Sequence, residues 1–265
     1  MAEIYACRYI RVKAYKTLKA ARRFSRPAAH PPSVAAPSAA ISGAAPNRLL
    51  FVLAATLAVS VALALAAFAQ DHSLGVFTNE SSVGQTPPGV KAVYDSAKGE
   101  YTITGGGANV WATTDAFYFV WRKVSGDVTL TADVQWVGTS STEHRKAMLM
   151  IRQSLDPGSA YADAVGHGNG LTSLQFRGAP NENTYQVVAA DEGPRPIRLR
   201  IVRKGSRITM YFGKPGSELP MAGPVEFIGM QDPFYVGLGV CSHVATTLET
   251  AIFSNVRLEE ASATK

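Results

Sequence analysis

Two pairs of acids come closest to the arrangement that hydrolysis of a glycosidic bond requires, Asp127 with Asp133 and Asp191 with Glu192. Such a reaction needs two carboxyl groups roughly 5–9.5 Å apart across one cleft. Asp127 follows Gly126 in a turn, Asp133 falls on the outward side of its segment, and the 191/192 pair sits in a Gly-Pro loop. Glu-x-Asp occurs nowhere in the chain, so no catalytic residue is expected. His144, His167 and His243 lack the His-x3-His or Cys-x2-Cys spacing of a metal site, and no metal ligand is expected either. His167, inside Gly166-His-Gly-Asn-Gly170, is placed to touch a ligand or to stand in solvent.

Binding chemistry has better candidates. A sugar site sets an aromatic face beside fixed polar donors and acceptors. Trp111, Tyr118 and Trp121 supply aromatic rings. Two-residue alternation puts Leu149 and Ile151 on one side of a strand and Met148, Met150 and Arg152 on the other, and it separates Leu174 and Phe176 from Gln175 and Arg177. If those strands are neighbours, a groove lined by Arg152, Gln175 and Arg177 follows. The expected ligand-binding set is Arg152, Gln175, Arg177, Trp121, Tyr118 and His167. The competing reading makes Trp111 and Trp121 core and leaves the arginines covering a sheet face.

Positioning these residues requires strands. From Gly75 onward, short alternating runs are broken by Gly, Pro, Asn and Asp, the pattern of an antiparallel sandwich. Val128, Leu130, Ala132, Val134 and Trp136 share one face of a strand over 127–137. Residues 197–212 read as a hairpin turning at Gly205, where a tight turn demands positive φ. Further strands are expected at 91–95, 100–104, 117–123, 147–153, 161–165, 171–177, 184–189, 234–241 and 251–259. Gly105-Gly106-Gly107, Asp156 to Ser159, Gly166 to Gly170 and Lys214 to Ser217 are read as interruptions.

Charge divides the chain. Residues 1–69 hold nine Lys or Arg and one acid, whereas residues 70–265 hold 17 basic and 19 acidic side chains. The part carrying the strands therefore has no basic excess for a phosphate backbone, which argues against a nucleic-acid partner. Residues 49–69 are uncharged and long enough to cross a bilayer as a transmembrane helix. They end in Ala67-Phe68-Ala69, a signal-peptidase pattern, and cleavage there competes with an uncleaved anchor. Every basic residue of the leader precedes the run, which keeps the N-terminus inside and exports the rest to the periplasm or medium. Three parts are thus expected: a basic, Pro- and Ala-rich segment 1–48, a signal or anchor helix 49–69, and a β-sandwich 70–265. The first is either a cytoplasmic extension or upstream sequence from a start assigned too early. Cys7 and Cys241 fall on opposite sides of the run, so no intramolecular disulfide is expected, and Cys241 reads as a small buried hydrophobe.

Several stretches together resemble the bacterial concanavalin A-like lectin/glucanase superfamily: Tyr101 to Gly107, Trp111 to Phe119, Val124 to Asp127, Met148 to Ser159, Ile197 to Phe212, and Tyr235 to His243 with Phe253 to Val256. The resemblance implies an all-β, laminin G-like jelly roll of two curved sheets whose concave face or rim binds carbohydrate. It implies an exported, non-catalytic module for a glycan or envelope component. A glycoside-active enzyme and a structural or protein-interaction domain are the alternatives. No cofactor is expected. Calcium stays open, because lectin relatives use it and Asp156 and Asn169 sit in loops, though neither loop repeats the oxygen ligands calcium needs. The turn at Lys214-Pro215-Gly216 departs from the family's Ser-Asp-Gly, which puts any ligand contact there in doubt.

Overall fold

The computed structural model describes residues 73–261 apart from 192, 220 and 221. Sixteen strands, numbered β1 to β16 along the chain, account for the described secondary structure. One seven-stranded sheet runs in the order β1 (Asn79–Val83), β6 (Phe117–Val124), β15 (Phe234–Cys241), β8 (Lys146–Arg152), β9 (Tyr161–His167), β10 (Leu171–Arg177) and β11 (Tyr185–Asp191). The other runs β14 (Ala222–Phe227), β13 (Arg207–Gly213), β12 (Ile197–Lys204), β7 (Val128–Trp136), β16 (Val244–Glu260), β3 (Glu100–Gly107) and β2 (Lys91–Asp95). Neighbouring strands in both sheets are antiparallel. A two-residue-per-strand hairpin, β4 (Val110–Trp111) with β5 (Thr114–Asp115), stands apart from both sheets.

Alternation decides which side chains meet between the sheets. Leu149, Ile151, Leu174, Val236 and Leu238 of the first sheet pack against Ile103, Leu130, Leu199, Ile201 and Phe253 of the second in one cluster. The reverse side of the first sheet carries a second, smaller cluster around Phe117, Phe119, Met148, Met150 and Tyr161, all fully buried. A sheet with both faces covered has a second layer on its outward side, and the β4–β5 hairpin belongs to that layer. Cys241 lies in the second cluster as a buried free thiol, whose burial pushes its pKa up to about 11.

The expected strands at 91–95, 171–177 and 234–241 coincide with β2, β10 and β15, and Gly205 turns the β12–β13 hairpin at φ 58°. Four strands were not anticipated. Each of β4 and β5 is two residues long, β1 is a polar edge strand, and β14 is an edge strand containing Pro224, whose missing N–H is tolerated there. Gly105-Gly106-Gly107 corrects the reading of a turn: these residues continue β3. A Cβ on Gly105 would run into the Val240 carbonyl oxygen of the opposite sheet, so glycine here permits close approach of two sheets rather than a bend. The expectation of a transmembrane helix is also corrected, since no helix among the described residues is long and apolar enough to cross a membrane. The 49–69 run on which it rested, with the proposed leader and cleavage site, lies outside the described residues.

Replacing Gly105 by Ala should therefore lower stability by about 2 kcal/mol, the cost of overpacking a site where the obstacle is backbone. Urea denaturation of the variant beside wild type measures it, and an unchanged midpoint would contradict the close approach.

Candidate functional site

The outward side of the first sheet places Lys146 and Arg152 on β8, Asp163 and His167 on β9, Gln175 and Arg177 on β10, and Gln186 on β11. The β4–β5 hairpin closes one half of this surface and leaves the other half open.

The closed half is centred on Asp115. Arg177 grips its carboxylate with two N–H groups, Nη2 to Oδ1 at 2.8 Å and Nη1 to Oδ2 at 2.9 Å, and Arg152 adds Nη1 to Oδ2 at 3.4 Å. All three side chains have zero exposure. The remaining guanidinium hydrogens go to carbonyls of the surrounding loops: Arg177 to Ala112, Ser159 and Glu182, and Arg152 to Ser154 and Asp156. Burial pushes the Asp115 pKa up, against the pull of Arg177 and Arg152. Both its oxygens nonetheless accept from guanidinium groups that cannot give up their charge, which fixes it as a carboxylate. Arg152 and Arg177 thus share one face with Gln175, as expected from alternation, but they do not line a groove. They clamp the hairpin down.

The open half is a cavity of about 250 Å³ lined by Asn109, Trp111, His144, Lys146, His167, Leu171, Gln175, Gln186 and His243. Trp111 stands at its wall, 36 % exposed, with Lys146 Nζ 5.4 Å from the ring centroid. Lys146 itself is buried, and Nζ donates to Val110 O at 2.6 Å, Asn109 Oδ1 at 2.9 Å and Gln175 Oε1 at 3.1 Å. Three acceptors around one nitrogen fit the three hydrogens of an ammonium. Burial draws its pKa down, and these contacts hold the proton in place.

That ammonium orients the rest of the network. Asn109 Oδ1 also accepts from the Val110 N–H, so its amide cannot be reversed, and Nδ2 donates to His243 Nε2 at 3.2 Å. Gln175, with Oε1 committed to Lys146, turns Nε2 towards Gln186 Oε1 at 2.7 Å and His167 Nε2 at 3.4 Å. Ser173 Oγ is a second donor to Gln186 Oε1, at 3.2 Å, which leaves the Gln186 NH₂ as a donor at the cavity. His167 gives its Nδ1–H to Leu171 O at 2.9 Å and keeps Nε2 as an acceptor. Burial, with Lys146 nearby, lowers its pKa to about 3, and the same two causes lower that of His243. Both imidazoles are neutral near pH 7. His144 completes the group, its ring 5.9 Å from His167 and 5.5 Å from His243.

Beneath the floor lies Asp163, fully buried on β9, with neither carboxyl oxygen hydrogen-bonded. Burial lifts its pKa to about 8, outweighing the opposing pull of the Lys146 charge. It is therefore an uncharged acid near neutral pH.

Of the residues expected to bind ligand, His167 and Gln175 line this cavity. Arg152 and Arg177 are sealed beneath the hairpin, and Tyr118 is in the core between the sheets, so none of these three reaches it. Trp121 packs against Tyr235 with centroids 4.8 Å apart, donates to Ser81 Oγ, and lies outside the lining. Lys146, Gln186, Asn109, His144, His243 and Trp111 complete the cavity. Lys146 was legible as the residue one alternation step before Met148, at the point where a strand drawn from Ala147 stops short. The acids first considered for catalysis serve the framework: Asp127 accepts from the Gly205 N–H, and Asp133 takes a bidentate grip from Arg198 at 2.6 and 2.8 Å on the second sheet. Burial would raise the Asp133 pKa, but the bonds from Arg198 and Asn255 bring it below the ordinary value. Asp191 ends β11, and Glu192 is outside the described residues. Of the residues weighed for calcium, Asp156 accepts from Ser154 Oγ and Asn169 from the Leu171 N–H. Among the described residues no group of three or more His, Cys, Asp or Glu is arranged to hold a metal ion.

No protein-family model matches the chain, and no curated protein matches it. Solved structures do share its architecture, which defines the class as a two-sheet β-sandwich. A functionally unknown protein from Saccharomyces cerevisiae is similar at 16% identity over 70% of this chain and 97% of its own, with a TM-score of 0.53. A carbohydrate-binding module from Bacillus subtilis is 15% identical over 70% of this chain and 98% of its own, with a TM-score of 0.44. A beta-glucanase from Bacillus licheniformis is 10% identical over 69% and 95%, at 0.43. At these identities the likeness is one of fold alone.

Two substitutions separate the closed half from the floor of the open half. Asp115→Asn leaves Arg152 and Arg177 without a counter-charge, and a loss of about 3–5 kcal/mol is expected by denaturant titration. Asp163→Asn should act in the other direction. Because its folded pKa is raised, Asp163 contributes fully below its unfolded pKa near 4, and that contribution is lost as pH rises towards about 8. The melting temperature of the wild type minus that of the Asn variant should therefore fall as pH rises from 4 to 8, while the depressed histidines contribute alike to both proteins.

Proposed function

We propose that the cavity beside Trp111 binds a saccharide, and that the chain is an exported glycan-binding module of the jelly-roll, concanavalin A-like type. The observation that carries this reading is the pairing of a half-open indole face with polar groups whose directions are set by the protein. Trp111 offers its ring to the C–H side of a sugar, and the Gln186 amide offers a donor alongside it, its direction set by Gln175 and Ser173. Pre-oriented groups lose little freedom when a ligand arrives, so a small cavity can still discriminate. The volume, below the ~300 Å³ at which most ligand pockets begin, suits one sugar unit at the end or side of a chain.

A second reading, action on a glycan, is favoured by the three imidazoles gathered around the same space. Neutral His167, whose unprotonated Nε2 accepts from Gln175 at 3.4 Å, has the form of a general base. No carboxylate among the described residues lines the cavity, so such chemistry would proceed without the paired acids of a glycosidase.

Trp111→Ala should weaken binding of the best ligand from a glycan array by about tenfold or more, near 1.4 kcal/mol, in calorimetric titration. Arg177 touches residue 111 only through the backbone carbonyl, so the hairpin tether survives the change and the melting temperature should hold. Absence of any retained glycan would end the proposal. Chromatography of the ligand after long incubation tests the second reading, since shortened products would convert the binding site into an active site.

A further inference from the structure

The charges buried under and around the cavity do not balance. Among the described residues, five charged side chains are buried on the outward side of the first sheet: Lys146, Arg152 and Arg177 against Asp115 and Asp163. Asp115 is consumed by the two arginines. Burial favours the protonated form of Asp163 over the pull of Lys146, and neither of its carboxyl oxygens has a hydrogen-bond partner. At least one positive charge therefore stays unbalanced, and the side chain nearest the opening is Lys146, which lines the cavity directly. None of the nine lining residues is an acid. The neighbouring Arg145 does not alter the sum, because Glu249 pairs with it at 2.7 Å.

Geometry puts this charge where a ligand would sense it. The ammonium lies over the Trp111 ring, 5.4 Å from its centroid, so a sugar packed against the indole would lie within its field. Its three hydrogens are already committed, and it acts as a fixed field rather than as a hydrogen-bond donor. Direct donation falls to the Gln186 NH₂. In a partly enclosed site a buried charge is screened far less than one on the surface.

We infer that the cavity selects a saccharide bearing an anionic group, a uronate carboxylate or a sulfate ester, over the same saccharide without it. The inference rests on the saccharide-binding reading proposed above and adds the charge of the ligand to it.

The test uses the full-length chain on matched glycans, each neutral oligosaccharide printed beside its uronate and its sulfated form. Retention at least tenfold stronger for the acidic members, and weakened by 0.5 M NaCl, is expected. The separate uronate and sulfate arms identify which anion is taken. Equal retention of neutral and acidic members overturns the inference and leaves saccharide binding standing, whereas no retention of either overturns both. Gln186→Glu supplies a second readout. The carboxylate keeps the oxygen that accepts from Ser173 and Gln175, so the network survives, while the free NH₂ becomes a negative oxygen. Both kinds of ligand lose the Gln186 donor, but acidic ligands should lose at least tenfold more affinity than their neutral counterparts. An acidic ligand that binds this variant as it binds wild type would also overturn the inference.

Discussion

The outward layer of this protein depends on one carboxylate held between two guanidinium groups in the absence of water. Asp115 sits at the end of a hairpin too short to fold by its own contacts, with two residues in each strand. What holds the hairpin against the sheet is the bidentate bond from Arg177, helped by Arg152 and by the carbonyls these arginines gather from residues 112, 154, 156, 159 and 182. A buried ion pair of this kind repays its desolvation only when nearly every donor is satisfied, and here the loops satisfy them. The arrangement specifies where the loops go, a role that apolar packing alone does not supply.

The consequence for function is a division of one sheet face into a sealed half and an open half. Where the hairpin ends, Trp111 is left at the edge with part of its ring uncovered, and the polar row of Lys146, His167, Gln175 and Gln186 continues past it. Lys146 links the halves. It anchors Val110 and Asn109 from the hairpin side, and it fixes the amide of Gln175 on the sheet. A single ammonium thus decides the direction of hydrogen bonds as far away as Gln186 and His243. Asp163 beneath it is protonated for want of solvation, which leaves the Lys146 charge uncompensated.

Strand positions were readable because alternation is a local property. The inward set of Leu149, Ile151 and Leu174 and the outward set of Arg152, Gln175 and Arg177 fell as the two-residue period predicts. The triple glycine of β3 was misread because the same residue serves a bend and a close contact, and only the presence of Val240 opposite distinguishes them. The two arginines were placed on the correct face, but the structure buries them against Asp115 instead of leaving them at a groove. Nothing local to Arg152 or Arg177 says that Asp115, 37 and 62 residues away in sequence, will be laid over them.

By itself, then, the sequence determined the all-β character of the described residues, the face on which each strand residue stands, and the lack of a paired-carboxylate motif, since these follow from periodicity and residue type within a few positions. The tertiary structure decided which polar residues are sealed and which are open, how the amides and imidazoles are oriented, and which acid keeps its proton. Those outcomes depend on desolvation and on hydrogen-bond partners brought from distant segments, and neither exists until the hairpin closes on the sheet.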